Sequence, residues 1–115
     1  MTAARPTVSL VISVWNRKDD LRDNLKAIAA QTVKADQVVV VDNCSKDGTP
    51  EMVLAEFPWV QLIRMPHSRY GACETFNLGF ASAWGEFVGI LAATETIKDR
   101  LDIHALAGQT LEMET

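Results

Sequence analysis

The sequence of 115 residues is long enough for one compact domain and too short for two, so residues 1–115 are expected to form a single unit, with 1–6 flexible and 107–115 frayed. Its 48% hydrophobic and 23% charged residues, free of biased or repetitive tracts, exclude a disordered or fibrous chain. A net charge of −4, with eleven Lys and Arg scattered among fifteen Asp and Glu, argues against a nucleic-acid surface. Two cysteines, Cys44 and Cys73, without C-x-x-C spacing or clustered histidines, indicate neither a zinc site nor a disulfide framework, and a reducing, cytoplasmic setting is expected.

The first apolar run, residues 7–14, is too short to span a membrane, has no small-residue cleavage site, and is followed at once by Asn16, Arg17, Lys18, Asp19 and Asp20. It reads as a buried strand. Residues 20–31 place Leu21, Leu25, Ile28 and Ala29 on one helical face, completing a strand–helix unit. Residues 37–42 contain the unbroken run Val38, Val39, Val40 and Val41, suited to a strand covered on both faces near a sheet centre. Thr49, Pro50 and Glu51 read as an N-cap, a first-turn proline and a first-turn acid, and Pro58 closes the short helix they open. A third strand is expected over 60–65. A helix over 71–84 follows, with Cys73, Phe76, Phe80, Ala81 and Trp84 at helical spacing and Gly85 as its C-terminal cap. The fourth strand is expected over 86–91, and a weak helical stretch over 97–106. Strands and helices thus alternate, which predicts an α/β fold: a three-layer, Rossmann-like parallel sheet with crossover helices.

Ligands of such sheets bind beyond the carboxyl ends of the strands, where loops and helix N-termini converge. Four loops are therefore candidates: 15–19, 42–48, 66–71 and 92–96. The first contains no glycine, so both the G-x-G-x-x-G dinucleotide fingerprint and the Walker phosphate loop are absent. The second begins with Asp42, an acid at a strand end able to accept hydrogen bonds from a base or ribose, followed by Asn43, Ser45, Asp47 and Gly48. The same residues also suit a turn that caps the next helix.

Taken together, these loops carry a resemblance. The segment Val8-Ser9-Leu10-Val11-Ile12-Ser13-Val14-Trp15-Asn16-Arg17 resembles the opening strand of family 2 glycosyltransferases, with Val14 a slight departure. Leu21, Leu25 and the pair Gln31-Thr32 fall where that family has its leucines and its Q-T or Q-S pair. Val40-Val41-Asp42-Asn43-Cys44-Ser45-Lys46-Asp47-Gly48-Thr49 looks like the family's V-D-x-x-S-x-D-G-T signature. Gly71, Asn77, Leu78 and Gly79 match a G-x-x-x-x-x-N-x-G spacing, and Gly85-Glu86-Phe87-Val88 a G-E-Y-V opening of the fourth strand. The resemblance implies the GT-A fold, strand order 3-2-1-4, and a nucleoside diphosphate sugar lying across the carboxyl edge of the sheet. It also implies a donor-binding set of Trp15, Asn16, Arg17, Asp42, Ser45 and Arg69, with Trp15 and Asp42 on the base and Asn16 and Arg17 supporting the loop or the diphosphate. Trp15 equally suits a core or rim aromatic, and Asn77, on the apolar helical stripe, reads as a buried amide.

Two of the family's catalytic parts have no counterpart here. The family's acidic D-x-D motif holds Mn or Mg on the donor diphosphate, and the corresponding positions are Ala92, Ala93 and Thr94, with Glu95 one place late as a weak ligand. Arg17, Arg64 and Arg69, with His67 nearby, are the residues able to clamp phosphate in place of a metal. The acceptor-binding part, which supplies a carboxylate base, is also missing, so the catalytic residues stay unassigned. The sequence therefore reads as a truncated, metal-motif-deficient donor-binding domain of inverting ancestry, or as a catalytically inactive nucleotide-binding or interaction module of the same fold. With the fourth strand's edge uncovered, self-association or pairing with a second chain is expected.

Overall fold

Apolar strand-forming and amphipathic segments alternate along the chain, and the computed structural model describes residues 6–31, 34–69 and 71–92. Its elements are β1 (Val8–Val14), α1 (Lys18–Ala29), β2 (Gln37–Asp42), α2 (Thr49–Glu56), β3 (Gln61–Arg64), α3 (Ala72–Ser82) and β4 (Phe87–Ala92). The four strands form one parallel sheet in the order β3-β2-β1-β4, the order implied by the resemblance. The stretch expected to be helical over 97–106 and the tail over 107–115 lie outside the described residues. Among the described residues no helix is long and apolar enough to cross a membrane.

Side chains alternate across a strand, so β1 feeds two cores at once. Val8, Leu10, Ile12 and Val14 join Leu21, Leu25 and Ile28 of α1 and Met52 and Val53 of α2 in the larger cluster. Val11, with Val39 and Val41 of β2, forms a smaller cluster on the other face, against which Phe76 of α3, Ile63, Met65, Ala83 and Val88 pack. This is the layering that right-handed crossovers demand: α1 and α2 lead toward β3 on one face, and α3 returns across the other to β4. The serines of β1 also face α3, and each is hydrogen-bonded, as burial requires. Ser9 Oγ donates to Gln37 Oε1 at 2.7 Å and accepts the Gly85 N–H at 2.8 Å, while the Ser13 and Thr75 hydroxyls lie 2.9 Å apart.

Several local expectations are corrected. On α1, Ala29 is exposed and Asn24 is buried in its place beside Leu21, Leu25 and Ile28. The helix also begins two residues early, because the Lys18 N–H is capped from outside the helix by Asp47. On α2, Gly48 is the N-cap, and Thr49, wholly buried, is the first helical residue. On α3 the apolar stripe is not the buried face: Thr75 and Gly79 are buried, Phe76 is half-buried, and Cys73, Asn77, Phe80 and Ala81 are exposed, as is Trp84 beyond the helix. The cause is close packing. A Cβ on Gly79 would lie 2.2 Å from Val11 Cγ1, so the smallest residue of the helix marks its contact line. Gly85 is not a helix cap either, since α3 ends at Ser82 with Ala83 in extended conformation. A Cβ on Gly85 would meet the Ser9 amide nitrogen at 2.7 Å, so backbone approach to β1 fixes that position.

Because α3 lies over β1 and β2, the described residues leave the outer part of β4 uncovered. Ile90 pairs in register with the fully buried Val11, yet is 53% exposed.

Candidate functional site

Strand register determines which loops meet. Val14, Asp42 and Arg64 are successive partners across β1, β2 and β3, so the loops that follow leave the sheet at one level. The Asn43 N–H donates to Val14 O at 2.9 Å and the Met65 N–H to Asp42 O at 2.8 Å, which carries the alignment into the loops.

Asp42 ends β2 and is 1% exposed. Its Oδ2 accepts the Ser45 N–H at 2.9 Å, which shapes the turn that the sequence suggested. Its Oδ1 is buried and has no hydrogen-bond partner among the described residues. A carboxylate oxygen held this way strongly favours an incoming N–H or O–H donor, because a buried polar atom without a partner costs about 1–3 kcal/mol. Trp15, immediately after β1, is 54% exposed and so is not a core residue.

Between the two lies a set of bonds linking the first loop to the second. The Asn16 N–H donates to Ser45 Oγ at 2.9 Å, and the Lys46 N–H donates to Asn16 Oδ1 at 2.7 Å. The Lys18 N–H donates to Asp47 Oδ2 at 3.0 Å, while Asp47 Oδ1 accepts from both the amide and the hydroxyl of Thr49. Burial pushes the Asp47 carboxyl upward, but the bonds from Thr49 and Lys18 outweigh it and hold the group below its ordinary value. Asn16 and Cys44 both adopt left-handed backbone, with φ of 52° and 61°. The Cys44 thiol reaches the Pro66 carbonyl at 3.8 Å, joining the third loop to the second.

The predicted site residues therefore divide. Asp42, Ser45 and Asn16 are brought together, with Trp15 next to them. Arg17 adjoins them but pairs with Asp20 at 3.5 Å, both side chains about half exposed. Arg69 is exposed on the third loop, its amide donating to His67 Nδ1 at 3.3 Å. Arg64 turns to Glu51 at 3.5 Å. Asn16, Arg17, Lys18, Asp19, Asp20 and Asp47 line an open cavity of about 450 Å³ beside the first loop. Asp47 and Lys18 were not among the predicted site residues, although the Asp47-Gly48 pair two places before a helix start was visible as turn chemistry. Of the family's metal positions, Ala92 closes β4, and Ala93, Thr94 and Glu95 lie outside the described residues. The Ala92 side chain carries no donor atom for Mn or Mg.

Comparison with known proteins decides the ancestry. The family model described as Glycosyl transferase family 2 matches residues 9–107. The chain belongs to this family. The succinoglycan biosynthesis protein ExoO of Rhizobium meliloti is 30% identical, over 94% of this chain and 37% of its own length. The glycosyltransferase GlyG of Streptococcus pneumoniae is 26% identical, over 93% of this chain and 36% of its own. Among solved structures, the mannosyltransferase PcManGT from Pyrobaculum calidifontis, in complex with GDP-Man and Mn2+, superposes with a TM-score of 0.75 at 31% identity. That likeness covers 94% of this chain and 33% of PcManGT. S. aureus TarS 1-349, in complex with UDP-GlcNAc, has the same fold, with a TM-score of 0.74 at 21% identity over 94% of this chain and 31% of its own. The family 2 domain described here is a GT-A, Rossmann-like sheet that spans about a third of the length of these relatives.

Proposed function

We propose that this family 2 domain binds a nucleoside diphosphate sugar along the carboxyl edge of its sheet. The observation that carries the reading is the buried Asp42 Oδ1, without a partner among the described residues, at the end of β2, in the position where doubly wound sheets present an acid to a nucleotide. In this reading Asp42 accepts an N–H of the base, Trp15 stacks on it, and Arg17 and Arg69 attract the diphosphate. PcManGT and TarS, whose structures hold GDP-Man and UDP-GlcNAc, support the ligand class.

Transfer of the sugar is a separate matter. Departure of the diphosphate needs its developing charge stabilised, and in this domain Ala92 and Thr94, standing at the two acidic positions of the motif, leave that task to arginines. No residue here is assigned as the base that deprotonates an acceptor. The second reading, a domain that binds the nucleotide and transfers nothing, is favoured by the absence of acids at positions 92 and 94. Among the described residues β4 is an edge strand and Ile90 is exposed, which supports contact with a second copy or another chain.

The test is titration of UDP and of GDP followed by nuclear magnetic resonance. The Trp15 indole and the Ser45 amide are expected to shift with saturation, and unchanged spectra at about millimolar ligand, the weak end of specific binding, would refute the reading. Sugar release from a UDP- or GDP-sugar in the presence of manganese would refute the inactive alternative.

A further inference from the structure

The hydrogen bonds between the first two loops are reciprocal. Two backbone donors of the first loop, Asn16 N–H and Lys18 N–H, are taken by side chains of the second, Ser45 and Asp47. One backbone donor of the second, Lys46 N–H, is taken by a side chain of the first, Asn16 Oδ1. Asp47 uses both carboxyl oxygens, one on each side of the junction. Left-handed backbone at two non-glycine residues, Asn16 of the first loop and Cys44 of the second, persists where surrounding contacts over-determine it. At Asn16 the bend sits between two outward-facing neighbours: Trp15 is exposed, and so is Arg17. Asn16 Oδ1, Ser45 Oγ and both carboxyl oxygens of Asp47 are already engaged as acceptors of backbone N–H groups.

We propose that Asn16 and Asp47 are positioning residues: they lock the loop after β1 to the loop after β2, so that Trp15 and Asp42 border one nucleotide pocket, and neither contacts the ligand. The inference rests on the donor-binding reading above. It reassigns Asn16, which the family resemblance put either on the loop or on the diphosphate, wholly to the loop. Asn16→Asp separates the two roles, because aspartate keeps the Oδ1 acceptor and tolerates left-handed backbone but adds a negative charge. A residue facing the diphosphate would be harmed by that charge more than by truncation to alanine, whereas a locking residue would be restored.

The experiment titrates UDP calorimetrically into the wild-type chain, N16D, N16A and D47N, and follows hydrogen exchange at the Lys46 and Lys18 amides without ligand. In N16A, UDP is expected to bind about tenfold more weakly and the Lys46 amide to exchange about tenfold faster, the effect of one lost hydrogen bond. N16D should return both to within about threefold of wild type, the scatter of a single conserved contact. D47N, with one acceptor oxygen for two sets of donors, should speed exchange at Lys18. Should N16A fail to fold, N16G reads the same bond while keeping the left-handed backbone. An N16D affinity as poor as that of N16A, or Lys46 exchange unchanged in N16A, overturns the proposal. If wild type binds neither UDP nor GDP, the donor-binding reading falls and the positioning role with it. The exchange data then report only whether the lock exists as a feature of the fold.

Discussion

Replacing Gly79 with alanine sets two effects of opposite sign against each other. Within a helix, alanine is favoured over glycine by about 0.8–1.0 kcal/mol, so on propensity alone the variant would be the more stable. The new methyl, however, would sit 2.2 Å from Val11 Cγ1 and 3.3 Å from Val41 Cγ2. Both valines are fully buried, and their branched side chains on a pleated strand have little rotamer freedom with which to yield. Reaching an ordinary contact of about 3.5–4.0 Å then requires α3 to lift from the sheet by more than 1 Å. That displacement also strains the Ser13–Thr75 hydroxyl pair beneath the same helix. Overpacking of this kind costs about 1–3 kcal/mol, so the net expectation is destabilisation by about 1–2 kcal/mol. Urea unfolding, followed by circular dichroism, measures it in the wild-type and Val11→Ala backgrounds. With the Val11 methyls removed, G79A should become neutral or stabilising, giving a coupling of at least about 1 kcal/mol. A G79A chain as stable as wild type, or the same cost in both backgrounds, would refute close packing of α3 on Val11 as the reason for glycine.

The depressed Asp47 carboxyl stabilises the fold above its unfolded-chain value of about 3.9 and loses that contribution as pH falls through its lower folded value. The stability gap between wild type and D47N, read from urea midpoints, should therefore narrow between pH 5 and pH 3, and a constant gap would contradict the assignment. At the β4 edge, Ile90→Lys should shift sedimentation toward monomer if the uncovered face mediates association, and a chain already monomeric at all concentrations would dismiss that proposal. Restoring acids at the metal-motif positions, Ala92→Asp with Thr94→Asp, should make nucleotide binding manganese-dependent. Binding that ignores manganese would mean the surrounding site no longer supports a metal.

Much of the fold could be read in advance because its signals are local. The four valines of β2 and the short apolar run of β1 marked strands whose positions agree with the structure to within one residue. Asp42 was recognisable because a strand end in a parallel sheet is already a ligand position. The features that escaped depend on residues far apart in sequence. Asp47 caps α1 across 29 positions, so no window around Lys18 contained the reason for the early start. On α3 the large apolar residues suggested one face, but helix-to-sheet distance selected another, the one bearing Thr75 and Gly79. Asn77 left the core with the rest of that stripe. Ser45 and Asn16 were singled out by motif position, but their side chains are engaged with each other's loop, a pairing that spacing alone does not reveal.

The central claim is that the buried, unpartnered oxygen of Asp42 receives a nucleotide base. It is tested most directly by calorimetric titration of UDP into the wild-type chain and into Asp42→Asn, in which a carboxylate acceptor is replaced by an amide. Saturable binding to the wild type, weakened about tenfold or more in D42N, is the predicted result, in keeping with the loss of a hydrogen bond to a charged acceptor. Equal affinity in the two chains, or no binding of UDP or GDP to either, would contradict it.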